Sequence, residues 1–340
     1  MPEEEEYRTY KLTILTTYSI ADLQALIEQE TQRLDLPKEP NTLYEPIHYI
    51  MSLGGKRVRP LLSLLAYSLW QNEPKPALQP SLAVEVFHNF TLMHDDIMDD
   101  APLRRGKVTV HEKWNANTAI LSGDVMLVHA YQMLLAVPAE QLPEVLARFN
   151  RCARIVCEGQ QLDMDFESRE TVSEQEYIDM IARKTAELLG FSLWLGAKLA
   201  GADGNSCECL YDIGLDMGTG FQLMDDLLDV YAEPDKFGKQ VGGDIIANKK
   251  TYLLIKANEN CQGADRETLN HWLNKADFDK QEKVAAVTEL YDRCGVKDMT
   301  EAKMQEYFER GFAELAKLPV AKEKLQPLIG LFNMLAQRES

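Results

Sequence analysis

The feature that most limits what this chain can become is an acidic spacing that occurs twice, each time late in a helical pattern. Residues 81–107 read SLAVEVFHNFTLMHDDIMDDAPLRRGK. As a helix, this stretch sets His88, Asp95 and Asp99, seven and four residues apart, in a narrow stripe on one face. Pro102 stops it, because proline has no N–H to donate and clashes with the preceding turn. Asp95, Asp96, Asp99 and Asp100 therefore crowd the helix end that already carries partial negative charge. Asp95 and Asp99 also repel as an i, i+4 pair, by about 0.2–0.5 kcal/mol. Something cationic belongs against them. Arg104 and Arg105 are candidates, and on this stretch alone a frayed acidic end paired with them is a full explanation. A divalent metal fits better, since two aligned carboxylates with open water positions suit Mg²⁺.

The second copy favours the metal. Residues 214–250 read GLDMGTGFQLMDDLLDVYAEPDKFGKQVGGDIIANKK, and Asp225, Asp226 and Asp229 repeat the D-D-x-x-D spacing before Pro234. Gln222, three before Asp225 and seven before Asp229, shares their face. One such spacing arises by chance in an acid-rich chain. Two copies on helical patterns, each followed by basic residues, point to a built site.

Charge narrows the ligand. A formal net charge of −18 argues against nucleic acid, whose backbone needs a basic surface. Yet Lys56, Arg57, Arg59, Arg104, Arg105, Lys107, Lys184, Lys239, Lys249 and Lys250 all lie in or beside the distinctive segments. A local basic cluster facing paired carboxylates suits a small polyanion bound partly through metal. The start MPEEEEYRTY is acidic where a secretory signal is basic. The longest apolar runs, such as residues 61–70, fall short of the roughly 20 residues that span a bilayer, so a soluble protein is expected. Six scattered cysteines form no evident framework; Cys207 and Cys209 are one residue apart, which does not match a zinc knuckle. They read as reduced thiols, and the expected location is the cytoplasm.

The chain reads as all-α, with no proline- or glycine-rich linker to divide its 340 residues, and a single domain over 1–340 is expected. Helical patterns follow Ser19, run from Asn41 to Trp70, and start again at Ser81 after a loop at 71–80. Others cover 116–136 and 142–166. Ser173-x-x-Glu176 is a capping box opening a helix to about Gly201. Patterns at 205–231 and 244–258 follow, then four weaker amphipathic segments. Three further segments carry chemistry. Gly54-Gly55-Lys56-Arg57-Val58-Arg59-Pro60 sets a flexible backbone beside three cations, a phosphate-cradling recipe. Lys184-Thr185 sits mid-helix, where threonine is mildly unfavourable. Lys239, Asp244 and Lys249 surround Gly242-Gly243 just after the second acidic motif.

Together GGKRVRP (54–60), His88 with DDIMD (95–99), LRRG (103–106), Lys184-Thr185, FQLMDDLLD (221–229) and GKQVGGDIIANKKTYL (238–253) resemble the trans-isoprenyl diphosphate synthases, the polyprenyl synthetase family of farnesyl and geranylgeranyl diphosphate synthases. The resemblance implies an all-α helical bundle around a central cavity and Mg²⁺-dependent, head-to-tail condensation of isopentenyl diphosphate with an allylic diphosphate. It implies a cluster of Mg²⁺, three ions, on Asp95, Asp99 and Asp225, supported by Asp96 and Asp229. Arg104, Lys184, Lys239 and Lys249 would hold the allylic diphosphate; Lys56, Arg59, His88 and Arg105 would hold that of isopentenyl diphosphate. Thr185 and Gln222 would face the developing allylic cation. A homodimer is the family's common form. Two positions depart from its pattern: Gln240 replaces a usual acid, and Asn248 a frequent glycine.

In this family the residues four and five before the first aspartate help form the product floor. Here they are Thr91, small, and Phe90, bulky, so a short product is expected, C20 over C15. Other readings remain. A terpene cyclase normally lacks the second aspartate-rich motif and a second diphosphate site. A non-catalytic subunit of a heteromeric synthase usually loses its acidic motifs. A longer-chain synthase and a helical scaffold with incidental acids complete the set.

Overall fold

The computed structural model describes residues 18–232 and 241–337. The architecture is all-α, as expected, with one short hairpin. Helix α1 (Ile20–Thr31) opens at the Ser19 cap, whose hydroxyl accepts the Asp22 N–H. The apolar pattern from 41 to 70 becomes two helices, α2 (Asn41–Ser52) and α3 (Val58–Ser68), because Gly54, Gly55 and Arg57 take positive φ and break the ladder. Helix α4 (Lys75–Met98) starts six residues before Ser81, inside the expected loop. Pro76 is tolerated in its first turn, where N–H groups lack intrahelical partners, and Pro80 is carried within.

After α4, Leu103–Arg104 (β1) and Lys107–Val108 (β2) form a two-stranded antiparallel hairpin that period-two reading had no length to detect. Arg105 and Gly106 at its tip have φ of 52° and 72°, the twist a two-residue turn needs to match its strands. Short α5 (Val110–Lys113), α6 (Ala116–Leu134) and α7 (Leu142–Ser168) follow. The Ser173 capping box is present and opens α8 (Glu174–Ile181). Where one long helix is expected, a π turn at Ala182–Ala186 interposes before α9 (Glu187–Leu199).

Helix α9 is buried all round from Glu187 to Ala197, and α3, α4 and α10 (Gly204–Tyr231) pack against it. The main core runs from Leu23 to Leu335, drawing on both ends of the described chain. The pattern expected over 244–258 splits into α11 (Gly243–Ile246) and α12 (Tyr252–Asn260). The four weak C-terminal patterns are the helices α13 (Gly263–Asn274), α14 (Lys280–Arg293), α15 (Val296–Leu315) and α16 (Lys322–Ala336).

The thiol reading needs correction. Cys261 and Cys294 form a disulfide, with Cα atoms 5.6 Å apart. They stand 33 positions apart in the sequence, but α12 and α14 end side by side over a second apolar cluster that includes Leu253, Leu269, Trp272 and Leu290. Sequence spacing gave no hint of that neighbourhood. No helix among the described residues is long and apolar enough to cross a membrane.

Candidate active site

The two acidic motifs lie on α4 and α10, and the π turn stands between them. Gly159 of α7 explains how the turn comes so close: a Cβ there would lie 2.3 Å from the Lys184 nitrogen. The bulge presents Lys184 toward the first motif and Thr185 toward the second. Lys184 Nζ is 2.6 Å from Asp163 Oδ2 and 3.4 Å from Asp95 Oδ1. Thr185 Oγ1 donates to Gln222 Oε1 at 2.9 Å, and Gln222 Nε2 donates to Asp226 Oδ1 at 3.2 Å. A π bulge that turns consecutive side chains onto two partners is a frequent functional device.

In the first motif, Asp95 and Asp99 face the site while Asp96 points into the protein. Asp96 is buried and accepts from Arg104, Nε at 2.7 Å and Nη2 at 2.6 Å. Burial raises its pKa, and Arg104 only partly offsets this. Arg104 also reaches Asp95 at 3.6 Å. Asp95 Oδ1 is itself buried without a hydrogen bond. Asp99 reaches solvent at the mouth, yet local burial first and the charge of Asp95 second push its carboxyl upward.

In the second motif, Asp225 is exposed, Asp226 is buried, and Asp229 accepts the Asp244 N–H at 3.0 Å, capping α11. Tyr177 of α8 donates to Asp226 Oδ2. Burial and then the charge of Asp244 drive Asp226 well above the usual carboxylate range, since its hydrogen-bond donors are neutral. Lys249 links the two sides. Burial disfavours its charge, but Asp99, Asp244, Asp163 and Asp95 together outweigh that and push its pKa up.

The basic segment after α2 builds a second, more cationic wall. Gly55 has φ of 131°, and a Cβ on it would lie 2.9 Å from the Arg105 guanidinium carbon. Arg105 donates to the Gly54 carbonyl, which locks the hairpin tip onto this loop. Arg59 Nη1 lies 2.9 Å from His88 Nε2. Arginine can only donate, so Nε2 is the acceptor and the ring is neutral. Burial, then Arg59 and Arg105, hold His88 well below the ordinary imidazole range. Burial also lowers Arg59 to about 10. Lys56 is exposed beside them. Arg57 turns inward to Glu85 at 2.8 Å and the Met51 carbonyl at 2.5 Å, so it is structural.

The structure thus gathers Asp95, Asp99, Lys184 and Lys249 on one side and Arg59, His88 and Arg105 on the other, with Thr185 and Gln222 hydrogen-bonded between the acidic motifs. Lys239 and Gln240 lie outside the described residues. Asp163 and Tyr177 were not anticipated; neither stands in a distinctive spacing, and only the close approach at Gly159 brings Asp163 to Lys184. Asn248 has φ of 54°, which is why glycine suits that position. Its side chain is fixed by the Leu273 carbonyl at 3.2 Å and Lys283 Nζ at 2.7 Å.

This site can hold Mg²⁺. The Asp95 oxygen, buried without a hydrogen bond, and the i, i+4 carboxylate pair offer the one or two protein ligands that Mg²⁺ takes alongside waters and phosphate oxygens. The surrounding lysines and arginines suit diphosphate oxygens.

Comparison with known proteins agrees with this chemistry. The family model described as polyprenyl synthetase matches residues 40–291. A geranylgeranyl pyrophosphate synthase of Geoglobus acetivorans is 35% identical over 322 residues, covering 94% of this chain and 98% of the relative. A geranylfarnesyl diphosphate synthase of Natronomonas pharaonis is 34% identical over 338 residues, covering 94% and 97%. A crystal structure of a geranylgeranyl pyrophosphate synthase superposes with a TM-score of 0.90 at 42% identity, covering 95% of this chain and 99% of the other.

Proposed function

The chain belongs to the polyprenyl synthetase family, and from that premise we propose that it condenses isopentenyl diphosphate head-to-tail with an allylic diphosphate to give a C20 all-trans product. It is a prenyltransferase, and Mg²⁺ is the cofactor of such enzymes. Three ions, held by Asp95, Asp99, Asp225 and Asp229, are part of the proposal. The observation that carries the reading is the π turn, where Lys184 Nζ lies 3.4 Å from Asp95 Oδ1 of the first motif and the next residue, Thr185, donates to Gln222 beside the second. A diphosphate placed there meets both motifs at once.

The chain's residues then divide the work. Mg²⁺ held by these aspartates would supply Lewis-acid neutralisation of the leaving diphosphate's charge. Arg104, Lys184, Lys239 and Lys249 hold that diphosphate's oxygens and stabilise the charge it gains. Lys56, Arg59, His88 and Arg105 seat the diphosphate of isopentenyl diphosphate. His88 stays neutral among the arginines and adds no repulsion of its own. Thr185 Oγ1 and Gln222 Oε1 lie 2.9 Å apart, and their oxygen dipoles stabilise the allylic cation. The helices exclude water from it. The alkene of isopentenyl diphosphate forms the new carbon–carbon bond, and a proton is lost to the departed diphosphate. Cation trapping in an active variant lacking a specific protein base would contradict that last role.

Relatives named for C20 and C25 products stand at nearly equal identity, so identity alone does not set product length. The proposal rests it on Phe90, buried against Phe87 and His94 with ring centroids 5.6 and 4.8 Å away. The reading includes a homodimer. Leu121 and Val128 of α6 and Leu135 at its C-terminal cap recur every seven residues and are 59%, 67% and 62% exposed, an apolar stripe that a second copy would cover. The test supplies purified protein with Mg²⁺, labelled isopentenyl diphosphate and dimethylallyl, geranyl or farnesyl diphosphate, and resolves products by length. The wild type is expected to stop at C20 and Phe90→Ala to run longer. No extension with any primer defeats the function; an unchanged Phe90→Ala distribution defeats only the floor.

A further inference from the structure

We propose that Asp100, His111 and Glu112 form a second divalent-metal site, separate from the two acidic motifs and selective for a transition-metal ion of the zinc type. Asp100 is the fourth aspartate at the end of α4, and neither motif uses it. It leaves the helix with φ of 48°. The chain then folds back. Thr109 donates through its hydroxyl to the Ala101 carbonyl at 2.7 Å and through its N–H to the Pro102 carbonyl at 3.1 Å. That closure stands α5 beside the end of α4. One ligand atom each from Asp100, His111 and Glu112 then lies within 4.8 Å of the others, and among the described residues no other His, Cys, Asp or Glu group is as close.

The histidine shows that this is more than an acidic patch. The His111 side chain is only 7% exposed, and both ring nitrogens are buried with no hydrogen-bond partner. Leaving a buried polar group unpaired is costly, so a partner is expected. Its Nε2 lies 3.6 Å from Glu112 Oε1, too long for a hydrogen bond. Two ligands about 2.1 Å from a shared tetrahedral ion stand roughly 3.4 Å apart. The observed spacing suits a common ion better than a direct bond.

The donor set selects the metal. One imidazole nitrogen with two carboxylates suits Zn²⁺, Co²⁺ or Mn²⁺, whereas Mg²⁺ and Ca²⁺ prefer oxygen throughout. The consecutive aspartates therefore serve different ions: Asp99 faces the diphosphate site and Asp100 faces His111 and Glu112. An ion here would pin the hairpin that carries Arg104 and Arg105 to the helix that carries Asp95. Its role is to hold those two arginines in place, and it needs no substrate to bind.

Co²⁺ is the probe. Full-length protein stripped with chelator is held in excess Mg²⁺, which occupies the acidic motifs, and is titrated with Co²⁺ while visible absorption and retained metal are measured. The expected result is one retained equivalent with a visible d–d band and a raised thermal midpoint. Glu112→Gln, at an exposed position, should weaken binding at least tenfold, and His111→Ala should abolish the band. Asp225→Ala should leave it intact. The helical circular dichroism of each variant without Co²⁺ reports its folding. Unchanged binding in both His111→Ala and Glu112→Gln overturns the proposal. So does binding that is lost in Asp225→Ala or displaced by Mg²⁺, which would place the ion in the acidic motifs. No binding at all would end the proposal too.

Discussion

The two D-D-x-x-D motifs share a spacing and differ in what lies behind them. Each keeps outer aspartates toward the site and buries its second aspartate. Asp96 is met by a guanidinium, Asp226 by a phenol and an amide. A charged partner keeps Asp96 closer to ionised, whereas neutral donors leave Asp226 well above the carboxylate range. The first motif is thereby wired to the arginine hairpin, and the second to helix α8 and the π turn. Identical letters have been given different supports, and the supports determine how each motif responds to change.

The largest effect should come from the outer positions, where the motifs are alike. Asp95→Ala and Asp225→Ala should each lower kcat/KM roughly 10²–10³-fold, since each removes stabilisation of the leaving diphosphate. Steady-state condensation assays check this; a tenfold imbalance between the two would break the equivalence. The buried positions should then separate them. Asp96→Asn leaves Arg104 without its carboxylate and should cost about 1.5–3 kcal/mol in urea unfolding. Asp226→Asn matches the shape of the protonated acid and should cost less than about 1 kcal/mol, because Tyr177 can accept where it now donates.

Acid sensitivity sharpens the difference further. The folded pKa of Asp226 is raised above its unfolded value near 3.8, so from about pH 4 upward the unfolded chain releases a proton that the folded chain keeps. Stability should therefore fall as pH rises through that window. Asp226→Asn should remove this contribution to the slope, measured by urea unfolding at pH 4.5 and 7 in chelator. An unchanged slope would mean that Asp226 is ionised in the fold. The smallest effect belongs to the loop beyond the second motif. Asn248→Gly relieves a left-handed backbone but loses the bond from Lys283, so its unfolding free energy should move by less than about 1 kcal/mol.

Much of this was legible in the chain because helix periodicity and aspartate spacing are local. The capped starts at Ser19 and Ser173, the four C-terminal helices and the stripe of His88, Asp95 and Asp99 all follow from residues within a few turns. What escaped was set by contacts across the fold. The π turn at Lys184 depends on Gly159 of another helix, and Asp163 matters only because that approach occurs. At the helix break of residues 53–57, Arg105 of the distant hairpin sits against Gly55, a contact no local pattern shows. The hairpin is too short for alternation to show. The pairing of Cys261 with Cys294 follows from helix ends that sequence distance keeps apart.

The central claim is that one allylic diphosphate is held by both motifs at once. Calorimetric titration with a non-ionising allylic thiolodiphosphate, with and without Mg²⁺, tests it most directly. The wild type should bind only with Mg²⁺, and Asp95→Ala and Asp225→Ala should each weaken binding at least tenfold. Full Mg²⁺-dependent affinity in either variant would mean that one motif suffices, and the paired grip would be wrong.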